Sequence, residues 1–328
     1  MNAKLLFRLQ TVTPLFLSGA DGQTPELRAA SIRGCLRFWL RASLGGQYGE
    51  NIEQLSHLES QLLGSTDAAS PIVLRIRPPL QELQRANTRV LPHSNQKTFR
   101  QSAFDVDNGF TLTVSPRLGQ PALPALTVPS LLLLCYLGGI GKRSRRGFGS
   151  LKLVGIQPEG FALDPPSKIM LGFYPNDGDK LADYLDKLLR WTAMTTGESV
   201  KTHGRPYPAS QIPAYPLLSE EHAKVLVCRK AFAKNSYLDA MESFWGKLRS
   251  DDHRDDRVYG FAGQGARRAS PLSVHIHRTE AGHHLVLTAF RSQPSPEGNR
   301  GWTKLQQLLE ECRRDWNGEY VLGSTTTW

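Results

Sequence analysis

The densest chemistry in the chain lies between Gly138 and Gly149, GGIGKRSRRGFG, where nine of twelve residues are glycine or basic. Gly138, Gly139, Gly141, Gly147 and Gly149 let the backbone come close to a ligand and take positive φ without steric cost. Lys142, Arg143, Arg145 and Arg146 place four cations within five positions. Cations this close repel one another, so the composition predicts a polyanion beside the loop. Gly141-Lys142 has the look of the end of a nucleotide-binding P-loop. That motif needs Ser or Thr after the lysine, on magnesium, and runs from a strand into a helix. Here Arg143 follows the lysine, and the order is an apolar helix (LTVPSLLLLCYL), the loop, then an alternating strand (SLKLVGI). These residues argue against a P-loop. A solvated turn whose charges only aid solubility is the alternative to a phosphate cradle.

Two further basic arrays accompany the loop. Arg33, Arg37 and Arg41 recur every four positions along IRGCLRFWLRASL and so share one helical face. Ile32, Cys35, Leu36, Trp39 and Leu40 supply the buried side. Ser31 is the expected N-cap, and Gly45 with Gly46 the expected stop. Arg28 lies just before this helix, whose first N–H groups offer themselves to an anion. With no acidic residue on the helix, the stripe is read as a phosphate contact rather than a solvated face. The third array, GFAGQGARRASPLSVHIH, sets Gly263, Gly265, Arg267 and Arg268 before a strand. The expected phosphate-contacting set is therefore Arg28, Ser31, Arg33, Arg37, Arg41, Gly139, Gly141, Lys142, Arg143, Arg145, Arg146, Gly147, Arg267 and Arg268.

Catalytic groups are harder to assemble. None of the nine histidines forms H-E-x-x-H or another metal-ligand spacing. His275 and His277 share one face of a strand, and His283 and His284 are adjacent near a turn; the reading is a chance pair on a polar face. Asp105 and Asp107 could hold a metal for RNA cleavage, although solvated loop acids are commoner. Asp251, Asp252, Asp255 and Asp256 fit a helix terminus or linker. No nucleophile, base and orienting group come together, so no catalytic residue, metal or cofactor is expected.

The elements that must position these residues follow from periodicity. Leu5–Leu17, 71–78, 109–116 and Ser150–Ile156 alternate as strands. Helices are expected at the arginine stripe, at NIEQLSHLESQLL up to Gly64, and at the LLLLCYL run. The order strand, helix, strand, strand, helix, strand is that of ferredoxin-like folds. Pro79 to Asn108 interrupts it with few large apolar residues and four cations, Arg85, Arg89, Lys97 and Arg100. A lid, a protruding hairpin or a disordered insertion all fit that stretch. The second half repeats the theme loosely: KIMLGFY as a strand, Lys180–Thr195 as a helix, VLVCRKAF as a strand, Leu238–Leu248 as a helix. HHLVLTAF then reads as a strand and Trp302–Trp316 as a final helix. One Gly/Arg loop per half suggests an internal duplication. The fold expected is α+β, two tandem ferredoxin-like βαββαβ domains over residues 1–160 and 161–328.

Charge agrees with a polyanion partner. Net charge is +10, and residues 1–160 hold 18 Lys and Arg against 10 Asp and Glu, while the remainder is nearly balanced at 22 against 20. The basic face is expected on the first half, with affinity that falls steeply with salt. Four scattered cysteines without a C-x-x-C pair read as buried thiols. The absence of a signal-peptide core or a bilayer-length apolar run points to the cytoplasm.

Taken together, TPLFLSGADGQ with ELRAASIRGCLRFWLRA, then LGGIGKRSRRGFGSL, then RRASPLSVHIH, resemble the RAMP superfamily of CRISPR proteins. Its mark is a glycine-rich loop before the last strand of an RRM-like domain. Within it, the match is closer to the first-numbered RAMP subunits of the type III-B effector, the Cmr complex. The resemblance implies a non-catalytic, RNA-binding part in an RNA-guided antiviral ribonucleoprotein, near the 3′ part of crRNA and helping to capture target RNA. It also implies other Cmr subunits as partners, a neighbouring RAMP subunit above all, with target cleavage carried by a different subunit. A RAMP endoribonuclease processing CRISPR transcripts, through His93, Asp105 or Asp107, is the alternative.

Overall fold

Strand β1 (Lys4–Thr11) leads through a turn-rich segment to helix α1 (Ala29–Tyr48), helix α2 (Ile52–Leu63) and strand β2 (Ile72–Arg77). The computed structural model describes residues 3–77, 82–90, 100–160, 165–199, 205–234, 236–250, 257–263, 266–293, 299–324 and 326–328. Strands β3 (Arg85–Arg89) and β4 (Arg100–Phe104) form a separate antiparallel pair. The 79–108 insertion thus contains a hairpin's two strands, while Lys97 and His93 lie outside the described residues. Then come β5 (Gly109–Pro116), α3 (Thr127–Leu137), the glycine-rich loop and β6 (Leu151–Glu159). Helices α4 (Pro165–Gly172) and α5 (Gly178–Ser199) lead to the second half. That half comprises β7 (Ala223–Cys228), α6 (Leu238–Leu248), the short strands β8 (Phe261–Gly263) and β9 (Ala266–Arg268), β10 (Leu272–Arg278), β11 (His283–Phe290), α7 (Asn299–Asp315) and β12 (Gly318–Leu322).

The first sheet is ordered β2-β5-β1-β6 and the second β10-β11-β7-β12, every pairing antiparallel. Leaving out the two small hairpins, each half runs βαββαβ with its third strand beside its first and its second and fourth at the edges. The chain is two ferredoxin-like folds in tandem.

Helix α3 explains the Leu131–Leu137 run. Every residue of α3 is buried, as expected of a helix apolar all round. It packs on α1 and α5 and touches β6 of the first sheet and β10 and β11 of the second. The second sheet is covered on both faces. Leu226, Leu272, Val274, Ile276, Leu285 and Leu287 pack with α6 and α7, whereas Val225, Val227, Val286 and Phe290 join the cluster built around α1, α3 and α5. Double coverage makes β7 and β11 buried at every position. The first sheet behaves differently: β1 alternates, with Leu5, Phe7 and Leu9 inward and Arg8 exposed on the opposite face.

Several expectations are corrected. KIMLGFY is not a strand; it lies largely in α4, whose prolines sit in the first turn, where a missing N–H costs nothing. The first strand stops at Thr11, and Leu15 and Phe16 make only isolated bridges, to Phe104 and Lys142. Gly45 and Gly46 do not end α1. A Cβ on Gly46 would lie 2.3 Å from the Leu218 carbonyl oxygen, so they serve the close approach of residues 215–218. Strand β12 is an addition to the expected elements. The two Gly/Arg loops are not equivalent either: the first joins α3 to β6, the last helix and strand of its unit, and the second lies between α6 and β10, the first helix and second strand of its own. The duplication resides in strand order, not in those loops. Among the described residues no helix is long and apolar enough to cross a membrane.

Candidate nucleic-acid interface

The glycine-rich loop is built by the 13–16 segment that follows β1. Thr13 Oγ1 donates to the Gly147 carbonyl at 2.8 Å and accepts from Ser150 N at 3.0 Å; Ser150 Oγ donates to the same carbonyl at 3.1 Å. Lys142 N donates to Phe16 O at 2.8 Å, Gly149 N to Pro14 O and Ile140 N to Gly149 O, both at 3.0 Å. Much of the loop's backbone is therefore spent on protein. The glycines serve that closeness: Gly149, at φ 66°, would place a Cβ 1.9 Å from Ile140 O, and Gly141, at φ 84°, one 2.5 Å from Phe16 O. Gly139 and Gly147 likewise pack, against Phe148 and Gly149 backbone and against Val274, Ile276 and Met241. The expectation of a loose backbone open to a ligand gives way to a rigid loop.

Its four cations divide into two pairs. Lys142 and Arg143 are exposed; Lys142 Nζ reaches the Gly22 carbonyl at 3.0 Å. Arg143 sits at φ 61° and starts a single helical turn, Ser144–Arg146. Arg145 and Arg146 turn the other way, into the second half. Arg145 Nη1 donates to Ser270 O at 2.8 Å with its guanidinium 5.0 Å from the Phe38 ring centroid. Arg146 Nη2 donates to Tyr259 O at 3.2 Å and lies 4.9 Å from the Trp245 ring. Burial pushes both guanidinium pKa values down. These two arginines fasten the halves together.

The stripe on α1 also bonds within the protein. Arg37 Nη1 donates to Glu59 Oε1 at 2.6 Å, and Arg41 donates from Nε to Oε2 at 2.6 Å and from Nη2 to Oε1 at 3.1 Å. Arg37 Nη2 also reaches Gly64 O at 2.9 Å. Arg33 donates to Ser70 Oγ at 2.6 Å and to the Leu63 and Ile72 carbonyls, both at 3.2 Å. The missing acidic partner is Glu59, on the neighbouring helix α2. Burial raises the Glu59 carboxyl pKa, and the hydrogen bonds and charges of Arg41 and Arg37 more than offset it, leaving it below the usual value. Ser31 is no N-cap: α1 starts at Ala29, Arg28 occupies the cap position in an extended conformation, and no side chain caps it. Arg28 itself is exposed, 3.9 Å from Glu26.

The histidine pair is not on a polar face. His275 and His277 are 0% and 3% exposed, inside the seam between the halves. His275 Nδ1 lies 2.7 Å from the Gly138 carbonyl, its donor role fitting a neutral ring, and His277 stacks on Tyr136 at 5.1 Å. Burial drives the His275 pKa down to about 4, the Gly138 bond offsetting part of this; burial likewise drives His277 well below the ordinary range, with His275 adding to it. Asp107, at φ 63°, pairs with Arg278 Nη1 at 2.6 Å, and the Asp105 carboxylate accepts from Val106 N at 2.8 Å. The two acids do not converge on one site. The side chains of Arg267 and Arg268, and Gly265, lie outside the described residues, as do Asp251, Asp252, Asp255 and Asp256.

Of the expected set, Arg28, Arg41, Lys142 and Arg143 are exposed, and Arg85, Arg89 and Arg100 are exposed on the β3–β4 pair. The Leu15–Phe104 and Phe16–Lys142 bridges tie hairpin and loop to the same segment. Arg89 stands directly opposite Arg100 in the ladder, a like-charge pair that an anion would relieve. Sequence reasoning missed Thr13, Ser150, Glu59 and Arg278. Only Thr13 carried a local signal, its place in the TPLFLSG stretch.

Comparison with known proteins fits this geometry. A family model described as the RAMP superfamily matches residues 8–152. Over 179 residues, 45% of the chain, the sequence is 32% identical to "CRISPR system Cmr subunit Cmr1-2" of Pyrococcus furiosus, of which 94% is covered. It is 30% identical over 164 residues to Cmr1-1 of the same organism, spanning 48% of that relative and 47% of this chain. Among solved structures, apo Cmr1 from Pyrococcus furiosus aligns over 98% of this chain and 99% of its own, with TM-score 0.64 at 20% identity. A chain of a type III-B Cmr-beta assembly bound to cognate target RNA and AMPPnP aligns over 96% of this chain and 100% of its own, with TM-score 0.68 at 11% identity. Identities this low speak for the fold alone. The 32% match across nearly the whole of one relative carries the assignment: the chain belongs to the RAMP superfamily, as a Cmr1-like member.

Proposed function

We propose that the chain is a non-catalytic subunit of a type III-B Cmr ribonucleoprotein that grips RNA by its phosphates, near the 3′ part of crRNA, and helps capture target RNA. The observation that carries this is the rigid loop presenting Lys142 and Arg143 outward, its backbone fixed by Thr13, Phe16 and Ser150. The relatives named as Cmr subunits give the setting. Phosphate contacts position RNA without reading its sequence, so guide pairing supplies specificity. The engagement of Asp107 by Arg278 supports a role without metal-assisted cleavage. The test is binding of single-stranded RNA across a salt series by the wild type and by K142Q/R143Q. Losing two phosphate contacts lowers the log–log salt slope by about 1.4. An unchanged slope and affinity would remove the loop from the interface.

A further inference from the structure

The face of the first sheet opposite Leu5, Phe7 and Leu9 carries exposed arginines. Arg8 on β1 pairs across to Thr111 on β5, and Thr111 pairs onward to Arg77 on β2. Directly opposed residues share a face, so Arg8, Thr111 and Arg77 form one row across three strands. The next row is Leu6, Thr113 and Arg75. With strands about 4.8 Å apart and alternate residues about 7 Å apart, the three guanidinium-bearing positions lie within roughly 12 Å of one another. All three arginines are exposed, and none forms an ion pair with a carboxylate among the described residues; Arg8 lies near enough to Tyr174 for its charge to act on that phenol. This sets them apart from Arg33, Arg37, Arg41, Arg145 and Arg146, each of which is spent on the fold.

The surface is shaped as well as charged. Arg8 and Arg77 line a cleft of about 450 Å³ with Gln10, Gln84, Thr111 and Val154 on its walls. Gly155 stands across from Arg8 on β6; a Cβ there would be 2.8 Å from Arg8 Nη2, so the missing side chain leaves room for the guanidinium over the strand. Thr113 is 5% exposed, and its Oγ1 has no hydrogen-bond partner. Two carboxylates also line the cleft, Glu82 and Asp107, the latter paired with Arg278 at 2.6 Å; Glu159 pairs with Lys4 at 2.8 Å. Along and beyond β6 an apolar strip is exposed, Val154 at 50%, Phe173 at 41% and Tyr174 at 39%. Cations beside exposed rings suit a single strand with unstacked bases better than a duplex.

We infer that the open face of the first sheet is a second docking surface, for single-stranded RNA, with Arg8, Arg75 and Arg77 as its phosphate ligands. The inference rests on the RNA-binding reading above but concerns a different face and different residues.

The experiment measures binding of a fluorescent oligouridylate across a salt series for the wild type, R8Q/R75Q/R77Q and K142Q/R143Q, with 4-thiouridine crosslinks mapped on the wild type. The sheet variant should fold, because all three side chains are exposed and glutamine keeps much of their length; its melting temperature is measured alongside. Three lost contacts lower the salt slope by about 2, and crosslinked peptides should include β1, β2 or β6. A sheet variant with wild-type slope, together with crosslinks confined to the 138–149 loop, overturns this inference and leaves the loop reading standing. The reverse pattern, loss only in the sheet variant, supports the inference and sinks the loop. Retained RNA binding with failed assembly into the complex would make this face a protein contact and overturn the inference. No RNA binding by the wild type would defeat both.

Discussion

Acidification should loosen the seam between the two halves through His275. In the folded chain its pKa is lowered to about 4, mainly by burial, while the unfolded chain titrates near 6.5. Between those values the unfolded state takes up a proton that the folded state refuses. Stability is therefore complete above about pH 6.5 and is lost as pH falls through that window. Integrated from about pH 7.5 to about pH 5, one such histidine removes about 2 kcal/mol. His277, depressed by burial and by His275, His284, Lys152 and His283, shifts stability in the same direction. The assay is chemical denaturation at the two pH values for the wild type and H275Q. Glutamine keeps a donor for the Gly138 carbonyl but does not titrate. Whatever its stability at neutral pH, the variant should show a pH-dependent loss smaller than that of the wild type by about 2 kcal/mol. Equal losses in the two proteins would refute the buried, neutral His275 on which the reasoning depends.

The other expectations concern the groups now assigned to the fold. E59A leaves Arg37 and Arg41 without their carboxylate; because the Glu59 side chain is only 8% exposed, it should lower unfolding free energy by about 3 kcal/mol while the RNA salt slope stays put. The glycines offer a paired control. Gly34 in α1 has nothing within 4 Å of the place an added methyl would take, so G34A should stabilise by up to about 1 kcal/mol. G149A meets Ile140 O at 1.9 Å at a positive φ and should cost several times that, read as a lowered melting temperature.

The sequence carried the first half's element order well, because its strands alternate cleanly and its helices end at glycines such as Gly64. It carried the second half less well for a physical reason. A sheet covered on both faces weakens the alternation that marks a strand, so β7 and β11 read mainly as apolar runs. KIMLGFY imitates a strand because one apolar turn of helix and a short buried strand look alike over seven residues. The site was legible in composition but not in role. Nothing local tells an arginine facing RNA from one facing a carbonyl. Arg37 meets Glu59 22 residues away, and Arg145 meets Ser270 across 125. Conversely, Arg75 and Arg77 stand in plain view in the alternating IVLRIR strand, where alternation alone marks a strand and says nothing of what its outward face meets.

Helix α3 bears on how the chain is made. Its full burial is completed by β10 and β11, which end at Phe290, more than 150 residues after α3 itself ends at Leu137. At 5–20 residues per second, a nascent chain carries the part of that leucine-rich surface that meets β10 and β11 uncovered for roughly 8–30 s. The interval makes the growing polypeptide a client for chaperones that shield apolar helices. It also makes a fragment ending near residue 160 a poor candidate for soluble expression, although its sheet is complete.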